Sequence, residues 1–371
     1  MKEDEYQTAE DLIESWENAD RLRENGRATV FDAPRLPSPM SSAAFCKNFV
    51  VPDPLVEGII MRGFIYALTA HTGKCKTAVA LLIAYCVAMG RKLGELDVEQ
   101  GRVLFLAGEN PVDVQMRWIA MSQQLDFDRN AIDVTFIDRR FKFSECMEEL
   151  RENIAAGGGF DLIIVDSSFA FFEGNDENSN AQQGEHASRL RKLTEMAGRP
   201  AVVVLCHPPK NAPDDNLQPR GGGAYVAEID GNLTMTLSGM VASLHWQAKI
   251  RGPDFTPINF QLHAVTHEEL KTTKGKLIST VFAKPLSDGA QMQEAEQSEE
   301  DLLMRELDGE ERGITQAELT RRLRWTTKAG KPNRQKINRV VRRLGPKGMK
   351  FIEEHRGRLT LTSKGKKEID R

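Results

Sequence analysis

Residues 70–77, Ala-His-Thr-Gly-Lys-Cys-Lys-Thr, lie between two apolar runs, Gly63 to Thr69 and Ala78 to Met89. A short apolar run, a turn of small and basic residues and a longer apolar run predict a buried strand, a tight loop and the first turn of a buried helix. There, backbone N–H groups can close round an anion, and the helix N-terminus adds partial positive charge. The spacing approaches G-x-x-x-x-G-K-[ST], with Ala70 at the first glycine and Cys75 at the second. The expected cradle for ATP with Mg²⁺ is Ala70, His71, Thr72, Gly73, Lys74, Cys75, Lys76 and Thr77. Lys76 reaches the β- and γ-phosphates and Thr77 binds the metal. An ordinary strand-to-helix turn carrying two lysines is the plainer alternative, and residues elsewhere must decide.

The pattern from Gly63 onward sets the fold class. Apolar runs at Gly63–Ala70, Arg102–Ala107, Val134–Ile137, Leu162–Asp166 and Ala201–His207 alternate with helical stretches. Those helices are expected at Lys76–Met89, Val112–Gln124, Glu145–Ala155 and Ala181–Met196. Continuous Val/Ile/Leu runs imply strands covered on both faces, hence an α/β fold with a largely parallel sheet. After the loop Pro208–Gly223, alternating segments near Leu233–Leu237, Ala242–Ile250 and Ile258–Val265 predict antiparallel strands extending that sheet. The core closes near Pro285.

The flanks differ in composition. Residues 1–30 are charged, with a short amphipathic helix expected around Leu12, Ile13 and Trp16. Five prolines make residues 31–54 an irregular arm, expected to pack on its own core or on a neighbouring subunit. Residues 286–300 are polar and acidic, as linkers are. Helices at Asp301–Leu307, Gln316–Leu323 and Asn333–Leu344, then a hairpin turning near Arg356-Gly357, follow the order of a winged helix-turn-helix. The expected organisation is an arm over 1–60, a core over 61–285, a linker over 286–300 and a winged helix over 301–371.

Charge points the same way. Residues 312–371 hold 19 Lys and Arg against 5 Asp and Glu, a net +14, leaving −18 for the rest of the chain. A basic segment behind an acidic body suits a polyanion partner at that end. Arg334, Lys336, Arg339, Arg342 and Arg343 on the third helix, with Arg356 and Arg358 on the wing, are the expected DNA contacts. No apolar stretch is long enough to span a bilayer, and the acidic start is unlike a signal peptide, so a cytoplasmic protein with no membrane partner is expected. Five scattered cysteines indicate neither disulfides nor a zinc site. A thiol at a helix N-terminus between Lys74 and Lys76 is expected to be acidic and reactive.

Two further segments support nucleotide chemistry. Phe160 to Ser167 is an apolar run ending in Asp166, placed to hold hydrated Mg²⁺ opposite Thr77. Val103 to Pro111 puts Glu109 at the end of the run after the loop's helix, where an acid can orient and deprotonate water.

With these motifs in this order, residues 55–285 resemble the RecA-like ATPases of hexameric helicase type, especially plasmid RepA-like and phage-encoded members. The resemblance implies that Glu109 is the catalytic base and Asp166 the Walker B aspartate. It implies that His207, in Val203 to Lys210, senses the γ-phosphate. Pro219 to Ala224 is similar to the stretch after a mobile DNA-binding loop, which brings in Lys210 and Arg220. Gln247 to Gly252 resembles a Lys-x-Arg pair, Lys249 and Arg251, that enters a neighbouring subunit's site. The family has glycine where Cys75 stands, so either the loop tolerates a small thiol or turnover is slow. The expected function is a DNA-stimulated ATPase forming a hexameric ring, a replicative helicase or translocase of a phage or plasmid, with single-stranded DNA through its core. Its alternatives are an ATP-switched DNA-binding regulator or loader, and a filament-forming recombination mediator.

Overall fold

The computed structural model describes residues 38–47, 49, 51, 53–286, 299–308, 310, 312–325 and 331–369. The chain divides into two units, residues 1–53 and 54–371. The described part of the first is a short helix, α1 (Ser42–Lys47). Phe45, Met40, Phe49 and Val51 there are all exposed. The arm thus contains a helical turn where irregular chain was expected. The helix expected around Leu12, Ile13 and Trp16 lies outside the described residues.

The second unit begins with a small hairpin, β1 (Pro54–Val56) and β2 (Ile60–Met61). Five strands follow that are parallel to one another: β3 (Ile65–Thr69), β4 (Val103–Ala107), β5 (Val134–Ile137), β6 (Leu162–Asp166) and β7 (Ala201–Cys206). Between them run α2 (Lys76–Met89), α3 (Pro111–Gln124), α4 (Phe143–Ala156) and α5 (Asn180–Arg191). Every residue of β3, β4, β6 and β7 is buried, as two-sided coverage requires. Alternate residues feed two cores. Tyr66, Leu68, Phe105 and Ile164 pack with α2, apolar from Ala78 onward, while Ile65, Ala67, Leu106 and Val165 pack with α4 and α5.

After a short helix, α6 (Gly222–Glu228), come β8 (Gly231–Ser238), β9 (Val241–Ile250), β10 (Ile258–Lys271) and β11 (Leu277–Pro285). The nine-stranded order is β11-β10-β9-β8-β3-β7-β6-β4-β5. The segment expected as the first antiparallel strand is a correction: β8 runs parallel to β3, and antiparallel pairing starts at β9. Helix α6 makes the crossover that a parallel neighbour needs. Strand β11 and the extension of β10 to Lys271 have weak alternation and were not anticipated. The helix expected over Ala181–Met196 ends at Arg191 and continues as a 3₁₀ turn, Lys192–Glu195.

Register brings the chemistry to one edge. Thr69 pairs with Cys206 and Ala107 with Asp166, so the residues following β3, β4, β6 and β7 leave the sheet side by side. That carboxyl edge is where open α/β sheets hold ligands.

The C-terminal region has its own core. Residues 299–307 are helical, followed by α7 (Gln316–Arg322), α8 (Arg334–Leu344), the hairpin β12 (Ile352–His355) with β13 (Arg358–Leu361), and α9 (Ser363–Ile369). Leu303, Leu307, Leu319, Ile337, Val340 and Leu359 are among the residues filling it. Thr315 and Asn333 cap α7 and α8 through side-chain oxygens. Glu299 and Glu300, expected at the end of the linker, are helical. Among the described residues no helix is long and apolar enough to cross a membrane.

One polar group is sealed under the sheet edge. His186 on α5 is 1% exposed, with Nε2 3.1 Å from Ser168 Oγ, which lies 3.3 Å from the Tyr225 hydroxyl. Burial pushes His186 down to about 4. Between about pH 6.5 and 4 the unfolded chain therefore binds a proton that the native chain refuses. The stability His186 contributes is complete above 6.5 and falls as the pH is lowered through that window, by up to about 3 kcal/mol. Urea unfolding from pH 8 to 4.5 should show this slope in the wild type and a shallower one in His186→Gln, and equal slopes would contradict it.

Candidate functional site

The loop from Ala70 leaves β3 tied to β7, the Ala70 N–H donating to the Cys206 carbonyl at 3.3 Å. It turns through Gly73, at φ 78°, and Cys75, at φ 59° and ψ 31°, both left-handed. That conformation favours glycine, so the thiol occupies a position whose backbone still follows the glycine geometry. Burial pushes the Cys75 thiol above its ordinary value. The expectation of an acidic thiol is thereby corrected, because desolvation outweighs the nearby cations Arg117 and Lys76.

Lys76 is buried and folds back over the loop. Its Nζ donates to Ala70 O at 2.8 Å and to His71 O at 3.3 Å, and lies 3.2 Å from His207 Nδ1. Burial pulls it down to about 8, with Glu109 and Asp166 opposing. The next residue, Thr77, donates its hydroxyl to Asp166 Oδ2 at 2.9 Å.

Two carboxylates here are pushed apart. Asp166 is 4% exposed; burial raises it to about 7, with Glu109 and Asp113 adding repulsion and the Thr77 bond opposing. Glu109 is held near 2, chiefly by His207, whose Nε2 faces its Oε2 at 3.8 Å, with Lys76 assisting. Glu109 is 44% exposed and stays ionised beside solvent, as a base for water must. The backbone fixes this separation: the Gly108 and Glu109 N–H groups both donate to the Asp166 carbonyl, at 2.8 and 2.9 Å. Arg140 Nε donates to Gly108 O at 2.7 Å and steadies the same turn.

The residues fit a magnesium triphosphate. A buried carboxylate linked to a hydroxyl is matched by a cation, and a desolvated ammonium by an anion. Among the described residues no three His, Cys, Asp or Glu side chains cluster to hold a metal by themselves. Thr77 and Asp166 would therefore share Mg²⁺ with phosphate oxygens.

His207 lies 3.4 Å from Thr72 Oγ1 and also faces Lys76 and Glu109. From it runs the loop to Gly223, in which Arg220 N donates back to His207 O at 3.1 Å and Lys210 is exposed. His71 Nε2 lies 2.9 Å from Ala212 O, joining the two loops.

The expected trans pair is not at this chain's own phosphate loop. Lys249 Nζ donates to the Val226 and Ala227 carbonyls, both at 2.9 Å, at the end of α6. Arg251 Nε lies 3.1 Å from Asp230 Oδ1, just beyond β9. Ala248, at φ 67°, lies just before both, where the pairing of β9 with β8 shifts register between Gly231 and Leu233. They nevertheless share the neighbourhood of Asp230.

In the C-terminal region the expected contacts divide. Lys336 and Arg339 pair with Glu299 at 2.8 and 2.6 Å, and Arg343 with Glu300 at 2.8 Å. Arg358 donates to Gly313 O at 2.9 Å. Arg334, Arg342 and Arg356 are exposed. The sequence reading missed Ser168, His186 and Tyr225, although two hydroxyl residues directly after Asp166 were a visible signal. It also missed Asn232, buried in β8, whose amide accepts from Thr69 Oγ1 at 2.7 Å and donates to Leu217 O at 2.7 Å.

A search of curated proteins finds no match. Residues 34–213 match the family model AAA_25, described as an AAA domain, and this match supports a P-loop ATPase.

Proposed function

We propose that this chain is a ring-forming, DNA-dependent ATPase, a translocase or replicative helicase of a phage or plasmid that works in the cytoplasm. The observation that carries the ATPase part is the meeting of Lys76, Thr77, Asp166, Glu109 and His207 at one sheet edge. Bound Mg²⁺ and the loop N–H groups supply charge stabilisation for the triphosphate. Glu109, ionised and solvent-facing, orients a water in line with the γ-phosphate and takes its proton. Lys76 leaves the Ala70 and His71 carbonyls for phosphate oxygens and regains its full charge. His207, between Lys76 and Glu109, reports the state of the site through its backbone to the loop ending at Arg220.

Oligomerisation supplies what one chain lacks. Arg251 is 62% exposed, and in the ring it and Lys249 exchange their own-chain acceptors for a neighbour's phosphates. A hexamer is the expected ring. The C-terminal region acts as a winged helix-turn-helix, with Arg334 and Arg342 on α8 and Arg356 on the turn of the hairpin offered to DNA. Lys336, Arg339, Arg343 and Arg358 tie that region together instead. A second reading is favoured by Cys75, which puts a side chain at a left-handed position that favours glycine: an ATP-switched DNA-binding regulator or loader with slow turnover.

Glu109→Gln should lower ATP turnover at least about 100-fold while the affinity for a fluorescent ATP analogue changes less than about threefold. Retained turnover would remove Glu109 as the base. Arg251→Ala should cut turnover by about a thousandfold or more. Mixing it with Glu109→Gln should restore activity, because a finger-deficient subunit with an intact base receives Arg251 from its partner. Activity unaffected by Arg251→Ala, or a mixture as inactive as its components, would count against supply in trans.

A further inference from the structure

A cleft of about 260 Å³ opens beside the phosphate loop, lined in part by Thr72, Phe169, Gln183, His207, Arg220 and Tyr225. Two of its features take no part in hydrolysis. Phe169 exposes 56% of its surface, although Ala170 and Phe171 beside it in the same 3₁₀ turn are buried. Arg220 carries an ion pair to Glu177, on the segment between that turn and α5.

The cleft is held firmly around these groups. Gln183 is 6% exposed and donates to Glu177 O at 2.9 Å, fixing the segment that presents the carboxylate. Gly221 packs so closely on Gln183 that a Cβ there would sit 2.3 Å from the glutamine Cβ, and its φ of 85° also requires glycine. Arg220 is therefore held against the 177–183 segment by its own ion pair and by the packing of Gly221. An open aromatic face thus stands in one small cleft with a guanidinium already holding an anion.

The partner that fits offers a flat π-face and an anionic oxygen one unit apart. A DNA duplex presents phosphates but keeps its bases stacked inside, whereas a single strand presents both. The cleft is smaller than the roughly 300–1,000 Å³ of drug-sized ligand sites, in keeping with one nucleotide unit. We infer that this cleft seats one nucleotide of single-stranded DNA, its base on Phe169 and its phosphate on Arg220, and that Glu177 holds the phosphate position until DNA arrives. The identity of the polyanion rests on the DNA-motor reading; the seat itself does not depend on hydrolysis.

This arrangement connects the strand to the reaction. The Arg220 N–H bonds the His207 carbonyl, and the His207 imidazole faces Glu109 and Lys76. Exchanging carboxylate for phosphate on Arg220 acts on the residue that touches both the base and the phosphate-binding lysine.

The test uses the full chain, with fluorescence anisotropy of a labelled oligothymidylate and an abasic strand of equal length, at fixed salt with a slowly hydrolysed Mg·ATP analogue. The wild type should prefer the base-bearing strand by between about fivefold and a hundredfold. Phe169→Ala should lose that preference and Phe169→Trp restore it. Glu177→Gln should bind both strands at least about threefold more tightly, because the competing carboxylate is gone. No preference in the wild type, full preference in Phe169→Ala, or unchanged affinity in Glu177→Gln would overturn the inference, as would failure to bind either strand. ATP turnover measured on the same samples separates the two conclusions, since turnover without strand binding removes the cleft and leaves the ATPase standing.

Discussion

Asp166 is a carboxylate buried at the end of a central parallel strand, and its desolvation organises the site around it. An isolated charge there is costly, so its surroundings must provide either a proton or a cation. Thr77 supplies a hydroxyl from one side, while the turn at Gly108 and Glu109 is bonded to the Asp166 carbonyl from the other. That pairing fixes where the loop's helix begins, and hence where Lys76 and the left-handed Cys75 lie. The same turn lifts Glu109 toward solvent and His207. One carboxylate is pushed up to about 7 and its neighbour down to about 2. The buried one suits a metal and the exposed one suits water, although both are simple acids at strand ends.

A second constraint joins this edge to the antiparallel half of the sheet. Thr69, the last residue of β3, donates to Asn232 on β8, and Asn232 donates to Leu217 O and Gln247 O. Gln247 in turn donates to Asp214 O at 2.9 Å. The strand feeding the phosphate loop, the loop beyond His207 and the strand leading to Arg251 are therefore cross-linked by two amides, Asn232 buried and Gln247 half-buried. A buried amide is costly to leave unpaired, so Asn232 couples the end of β3 to Leu217 and to β9. The proposed ring motor would use such a connection between phosphate, nucleic acid and neighbour.

The parallel half of the fold was legible because its signals are local and strong. Short, β-branched runs such as Leu162 to Val165 and Val202 to Leu205 favour a doubly covered strand, and the longer apolar run after Thr77 favours a buried helix. Asp166, Glu109 and His207 were legible for the same reason, since each follows such a run. The direction of β8 was not, because alternation reports one covered face and is silent about the neighbour's direction. The Cys75 acidity failed because proximity to Lys74 and Lys76 is visible in sequence while burial is not. Lys336, Arg339 and Arg343 look like free cations in a basic helix until the fold brings Glu299 and Glu300 against them. Ser168, His186 and Tyr225 lie up to 57 residues apart, and only the packing of α5 and α6 brings them together.

The central claim is that the left-handed turn at Cys75 still forms a phosphate cradle. Calorimetric titration of the full chain with ATP, ADP, AMP and adenosine, each with Mg²⁺, tests it most directly. The cradle predicts one site per chain, tight binding of ATP and ADP, and a loss of at least about tenfold on passing to AMP, since the loop and Lys76 hold the β- and γ-phosphates. Adenosine binding as tightly as ATP, or no heat with any of the four, would contradict it.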